Sequence, residues 1–329
     1  MTLPLAVSLG DPAGIGAEVI AKAWERRESQ ALPPFFVVGE IAAIAAVWGG
    51  PVAAVGDPRE AEAAFRDALP VIRVGDGCGV EPGHPTLAGA RGALDALELA
   101  VGLTRSGAAA AVVTGPVAKS QLYGIGFVHP GQTEFVAERC GVAPDKVAMM
   151  LAGPTLRCVP VTTHIALADV PGALTAELIV ARGRTTIKGL RRQFGIERPR
   201  LAVAGLNPHA GEDGALGRED IDLIAPAVER LREDGEADVS GPLAADSMFH
   251  ARARAGYDAA LCMYHDQALI PLKALHFDEG VNITLGLPIV RTSPDHGTAF
   301  DIAGQDRADP AATVAAILLA ASCARRMAA

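Results

Sequence analysis

The chain has 329 residues, half of them hydrophobic and 20% charged, with a formal net charge of −9. That length and apolar content suffice for a large core, organised as one α/β unit of two lobes or two domains. The acidic balance argues against a nucleic-acid groove and against a polybasic membrane surface, while local basic residues stay available for a small anion.

In chain order, the apolar run "PLAVSL" reads as a strand and leads into "SLGDPAGIGAEV", residues 8–19. Gly10, Gly14 and Gly16 form G-x-x-x-G-x-G, which matches neither the dinucleotide fingerprint nor the P-loop, and Asp11-Pro12 favours a turn. The stretch therefore reads as a strand-to-helix turn, followed by a helix from Ala17 to Glu25. Further strands are expected at "FFVVG", "AAAAVVTG", "VAMMLAG", "RCVPVTT", "RLAVAGL", "AALCMY" and "VNITLGL". Further helices are expected over Ala88 to Ser106, Ala173 to Phe194 and Arg218 to Asp234, with Gly195 as a terminator. Continuous apolar strands alternating with helices predict a largely parallel sheet covered on both faces. The patch "GDGCGVEPGHPT" reads as a loop or lobe junction. "AATVAAILLAA" follows Asp309 and Pro310, an N-cap and a first-turn proline, and reads as a buried helix too short to span a bilayer. Cys78, Cys140, Cys158, Cys262 and Cys323 are scattered, with no C-x-x-C pair. They fit a reducing cytoplasm, as does an N-terminus without a basic region leading into an apolar core.

Ligands of open α/β sheets bind beyond the carboxyl ends of the strands. "RCVPVTT" ends in His164, "RLAVAGL" leads to His209 and "AALCMY" ends in His265, the same topological position on three strands. One such histidine is ordinarily a hydrogen-bonded structural residue. Three neutral imidazoles suit a divalent cation with positions left for substrate oxygens. Asp266 and Glu212 stand beside two of them and can orient the rings, or serve only as solvated loop residues. Lys273, Asn282 and Arg291 are each ordinary surface residues when taken singly, but together offer a point charge, a neutral donor and a planar fork to a phosphate. Asp246 in "GPLAADSMF" reads equally as an acid/base group or ammonium partner and as a helix N-cap. His84, His250 and His276 read as surface or structural. His129 lies close to the stronger candidates Gln132 and Thr133. "SPDHGTAFDIAGQDRADP", by composition alone, is a loop feeding the last helix.

Taken together and in order, "SLGDPAGIGAEV", "PGQTEF", "TTH", "GLNPHAGE", "GPLAADSMF", "MYHDQ", "VNITLGLPIVRTS" and "DHGTAFDIAG" resemble the 4-hydroxythreonine-4-phosphate dehydrogenase family of vitamin B6 biosynthesis. The resemblance implies a two-lobed isocitrate/isopropylmalate dehydrogenase-like fold with mostly parallel sheets and an active site in the cleft between lobes. It implies an α/β cofactor-side domain at 1–128 plus 294–329, and a substrate, metal and dimerisation domain at 129–293. It further implies metal ligands at His164, His209 and His265 across a homodimer interface, for zinc, magnesium or cobalt. Substrate contacts fall at Gln132, Thr133, Lys273, Asn282 and Arg291, with Asp246 and Lys273 in catalytic roles. NAD, or alternatively NADP, is expected along Gly297, Thr298 and Asp301. The family pattern G-H-T-E-F reads G-Q-T-E-F here, with Gln132 at the histidine position. Glutamine hydrogen-bonds but cannot become cationic. The implied activity is oxidation of 4-phosphohydroxy-L-threonine at C3 and decarboxylation to 3-amino-2-oxopropyl phosphate, in the cytoplasm. The alternatives are a related phosphorylated hydroxy acid, such as 4-phospho-D-threonate, as substrate, and a phosphate acyltransferase-like enzyme.

Overall fold

The computed structural model describes residues 3–75 and 80–328. Cys78 and the centre of "GDGCGVEPGHPT" lie outside the described residues. The chain divides into two compact units, one of Met1–Cys140 with Pro288–Ala329 and the other of Gly141–Leu287. The divisions expected at 128/129 and 293/294 thus fall further inward along the chain, and Gln132, Thr133 and Arg291 belong to the first unit. Packing explains the shift. The Gln132–Arg139 helix sets Phe135 on Phe127 with ring centroids 5.6 Å apart, and the segment at Arg291 pairs with a first-unit strand.

The described strands, in chain order, are β1 Leu5–Ser8, β2 Phe35–Gly39, β3 Val52–Ala54, β4 Leu69–Arg73, β5 Val112–Thr114, β6 Ala148–Ala152, β7 Arg157–Pro160, β8 Arg200–Ala204, β9 Asp238–Leu243, β10 Ala259–Cys262, β11 Val281–Leu285 and β12 Arg291–Pro294. In the first unit they lie in the order β3-β4-β2-β1-β5-β12, all parallel. β1 and β2 are buried along their whole length, as expected for strands covered on both faces. The second unit is ordered β11-β6-β7-β10-β8-β9, parallel from β7 to β9. Here β6 runs antiparallel to β7 and β11. β6 and β7 are joined by a tight turn closed by Gly153 N–H to Leu156 O at 2.8 Å, whereas a parallel neighbour needs a long crossover. The protein is an α/β fold with a mostly parallel sheet.

Two expected helices are altered locally. The Ala173–Phe194 pattern breaks at Leu174, and the long helix is Ala176–Phe194, capped by Thr175 Oγ1 accepting from Leu178 N–H at 3.1 Å. The Arg218–Asp234 pattern becomes a π turn at Asp220–Ile224 followed by an α-helix at Ala225–Glu233. Pro226 supplies the reason, since it has no N–H to give the carbonyl four residues back. The last helix, Ala311–Ala328, begins where expected, with Asp309 Oδ1 accepting from Ala311 N–H at 2.9 Å. It runs longer than expected, and its 18 residues have the length and apolarity of a membrane span. Its inner face packs on the first-unit sheet, where Thr292 Oγ1 donates to Ala316 O at 2.9 Å. Cys158, Cys262 and Cys323 are buried and Cys140 is half-buried, none of them in a disulfide.

Candidate active site

In the first unit, β1 runs into Leu9, Gly10 and Asp11. Asp11 N–H donates to Pro116 O at 2.8 Å, just past the end of β5, so the loops after two adjacent strands are fastened together. Gly10 has φ +77°, and a β-carbon there would stand 2.3 Å from that same carbonyl oxygen. At Gly14 a β-carbon would stand 2.9 Å from Thr298 O, and Ile15 N–H donates to Thr298 O at 2.9 Å. Glu18 Oε1 accepts from Ala308 N–H at 2.9 Å and from Lys22 Nζ at 2.8 Å. Ile15, Val19, Ala303 and Ala308 close an apolar cluster beneath. "SLGDPAGIGAEV" is therefore laced to "DHGTAFDIAGQDRADP", the segment holding Gly297, Thr298 and Asp301. Gly297 and Asp301 are exposed, and Asp301 lies in the short turn Phe300–Ile302.

Asp11 is buried, with Oδ1 accepting from Ala13 N–H at 3.1 Å, and burial raises its pKa against that hydrogen bond. A carboxyl whose pKa is raised on folding destabilises the folded state at pH above that raised value, and imposes no penalty once both states are protonated. Asp11→Asn keeps the acceptor for Ala13. It is expected to melt at a higher temperature than wild type at pH 7, with the difference closing as the pH falls toward 4, as followed by thermal denaturation across that range.

At the carboxyl end of β5 lies a cation site. Arg291, at the start of β12, is only 4% exposed. Its guanidinium reaches along the sheet, so that Nη2 donates to Thr114 Oγ1 at 2.7 Å and to Gln132 Oε1 at 3.3 Å, while Nη1 donates to Thr133 Oγ1 at 3.4 Å. Burial pushes the Arg291 pKa down to about 10, against the nearby charge of Glu134. At neutral pH it remains a protonated, desolvated fork. Gln132 and Thr133 open the Gln132–Arg139 helix, whose N-cap Gly131 is extended and provides no side-chain cap. A β-carbon at Gly131 would stand 3.8 Å from Lys119 Nζ. A helix N-terminus, a buried guanidinium and two hydroxyls make a receptor for an anion. Sequence reasoning found Gln132, Thr133 and Arg291 but missed Thr114, whose only signal was its place at a strand end. His129 is explained by packing, its ring 5.1 Å from Phe127 and 5.5 Å from Phe135.

In the second unit, β7, β10 and β8 end side by side. Buried Gln267 brackets two of these ends, accepting from Met263 N–H at 2.7 Å and donating to Gly205 O at 2.8 Å. Thr162 Oγ1 ties the β7 end to Met263 O at 2.8 Å. His164, in a left-handed conformation with φ +49°, and His265 come together with ring centroids 5.6 Å apart. Both line a cavity of about 500 Å³ with Tyr264, Asp266, Leu167 and Ile270. His265 Nδ1 and Asp266 Oδ1 are 2.7 Å apart, which leaves Nε2 as the outward ring nitrogen.

His209 stands apart from this pair, in a separate cavity lined with Glu212, Asp213 and Asp220. Among the described residues of one chain, no group of three or more His, Cys, Asp or Glu is arranged to hold a metal. His209, Ala210, Gly211, Glu212 and Asp213 are all left-handed, with φ from +42° to +82°, a conformation that L-residues adopt singly rather than in runs. Asp220 anchors the loop's start, accepting from Leu206 N–H, Asn207 N–H and Asn207 Nδ2 at 2.9–3.1 Å.

Asn282, on β11 opposite Leu151, has its Oδ1 buried and without a hydrogen-bond partner among the described residues. Lys273 lies on the His265–His276 helix with Nζ 5.9 Å from the Phe277 ring centroid. Asp246 is exposed within the turn Ala245–Ser247 and is not an N-cap. Capping of the next helix falls to His250, whose Nδ1 accepts from Ala253 N–H at 3.3 Å, because the preceding turn consumes Asp246.

The fold and these groups define a class: an α/β protein whose anion receptor and paired imidazoles sit at the carboxyl ends of its strands. Residues 34–320 match the family model described as pyridoxal phosphate biosynthetic protein PdxA, and the chain belongs to this family. It is 56% identical to the 4-hydroxythreonine-4-phosphate dehydrogenase of Zymomonas mobilis over 98% of this chain and 96% of that one. It is 38% identical to a 4-hydroxythreonine-4-phosphate dehydrogenase from Klebsiella pneumoniae of known crystal structure, with a TM-score of 0.88 over 98% of this chain and 100% of that one. A terephthalate 1,2-cis-dihydrodiol dehydrogenase from Burkholderia xenovorans matches at 28% identity and a TM-score of 0.66 over 98% of both chains.

Proposed function

We propose that the protein oxidises 4-phosphohydroxy-L-threonine at C3 with NAD and decarboxylates the product to 3-amino-2-oxopropyl phosphate, as a step of pyridoxal phosphate biosynthesis. The observation that carries the phosphate half of this reading is the buried Arg291 fork beside the hydroxyls of Thr133 and Thr114 at a helix N-terminus. Lys273 and Asn282 add a charge and an amide to substrate binding. The buried Oδ1 of Asn282 has hydrogen-bonding capacity to spare for a donor of the substrate.

A divalent cation fits the donor set of His164 and His265, since Asp266 fixes the His265 ring with Nε2 outward. When bound, such a cation acidifies a coordinated hydroxyl and steadies the negative charge that develops as carbon dioxide leaves. His209 is the third ligand in our reading. Its separation from the other two within one chain favours a homodimer in which a second copy completes the set. Gly297, Thr298 and Asp301 would hold NAD, which would supply the hydride acceptor. Their segment is held in place by the Ile15–Thr298 and Glu18–Ala308 hydrogen bonds. Asp246 and Lys273 are assigned to moving the hydroxyl proton, and the Arg291 receptor fixes which carbon faces the cofactor.

The test follows NADH absorbance with zinc, magnesium or cobalt added, offering 4-phosphohydroxy-L-threonine beside 4-phospho-D-threonate. We expect metal-dependent NADH formation, with the higher kcat/KM for the first substrate. A higher kcat/KM for 4-phospho-D-threonate would reassign the substrate, and no NADH with either would end the dehydrogenase reading.

A further inference from the structure

Both polar atoms of Gln132 are engaged within the protein. Its Nε2 donates to Gly115 O at 3.1 Å and its Oε1 accepts from Arg291 Nη2 at 3.3 Å. The opposite amide orientation would set donor against donor and carbonyl against carbonyl, so the two partners fix the orientation. Neither partner can drift. Gly115 is pressed so closely on β1 that a β-carbon there would stand 2.5 Å from Leu9 O, and the guanidinium is buried and also bound by Thr114 at 2.7 Å.

We infer that Gln132 is a positioning residue for Arg291 and does not itself contact the substrate: its amide spans the Gly115 carbonyl and the guanidinium, holding the fork at the angle from which it receives the phosphate. This rests on the assignment of Arg291 to phosphate binding, and it revises the expectation that Gln132 is a substrate contact. A glutamine suits the role because it accepts from a cation at one end and donates to a carbonyl at the other without adding charge. A carboxylate would neutralise Arg291, and an imidazolium would offer it no acceptor.

A double-mutant cycle on KM and kcat tests the inference, using Gln132→Met, Arg291→Met and the double variant with the phosphorylated substrate. Gln132→Asn, which keeps both polar ends but is one carbon short, serves as the second variant should Gln132→Met fail to fold. Either single change at Gln132 is expected to raise KM about tenfold with kcat within about twofold. In the Arg291→Met background the same change is expected to add nothing. A further tenfold rise in that background would make Gln132 a direct ligand. An unchanged KM, or a fall in kcat alone, would likewise overturn the assignment. Should the wild type form no NADH, the proposed function falls. The same cycle, read as inorganic phosphate affinity by calorimetry, then decides the Gln132 assignment by the same criteria.

Discussion

Arg291→Met is expected to raise the KM for the phosphorylated substrate by roughly two to three orders of magnitude, about 3–4 kcal/mol of lost binding. The melting temperature at pH 7–8 is expected to be no lower than that of wild type. The two effects are expected to separate because the charge proposed to bind phosphate is held at a cost to the fold. Burial lowers the Arg291 pKa to about 10, so the folded state disfavours the protonated form relative to the unfolded chain. A base depressed in this way costs stability below its folded pKa, and replacing it with an apolar side chain removes that cost. The same sign fixes the pH window of binding: the guanidinium holds an anion across neutral and mildly alkaline pH, and that affinity is lost as the pH rises through about 10. Arg291→Lys is not expected to rescue, since one ammonium cannot span Thr114, Thr133 and Gln132 as the planar fork does. Steady-state kinetics with parallel melting curves decide the matter, and an unchanged KM would remove the phosphate from this pocket.

Gly10→Ala is expected to be the most damaging single-methyl change in the first unit, costing about 3–4 kcal/mol in denaturant unfolding. Two independent effects add: a backbone φ of +77°, which L-residues rarely adopt, and a β-carbon 2.3 Å from a backbone oxygen that is itself hydrogen-bonded to Asp11. Gly297→Ala is the internal comparison. No atom lies within 4 Å of a β-carbon there, and its cost is expected to stay within about 1 kcal/mol. Equal losses at the two positions would contradict this steric account.

Much of this was legible from residue pattern. The apolar runs mark eight of the strands, although β5 is only Val112–Thr114 within "AAAAVVTG" and β7 ends at Pro160 within "RCVPVTT", and the rule that ligands gather at carboxyl strand ends singles out His164, His209 and His265. What escaped has identifiable causes. β12 is the short "RTSP", which looks like a polar loop. It is a buried strand because Thr292 passes its hydroxyl to Ala316 O and Arg291 extends along the sheet. β4 and β9 carry prolines that obscure their strand pattern. His209 opens a run of left-handed residues, four of them not glycine, for which single-sequence propensity carries no signal. Gln132 stands out in the sequence as a candidate, but its proposed role depends on both ends of one amide, which meet Gly115 and Arg291 only in the folded chain. The glycines of the opening turn accommodate protein backbone, Gly10 at Pro116 O, Gly14 at Thr298 O and Gly16 at Leu9 O.

The discontinuity of the first unit bears on how the protein is made. Residues up to Cys140 leave the ribosome before Gly141–Leu287, whereas β12, Arg291 and the helix that covers them are synthesised after it. Gly141–Leu287 is complete before the strand that finishes the earlier unit exists. A nascent chain arrested before residue 291 therefore presents β5 without its β12 neighbour and an anion receptor without its guanidinium.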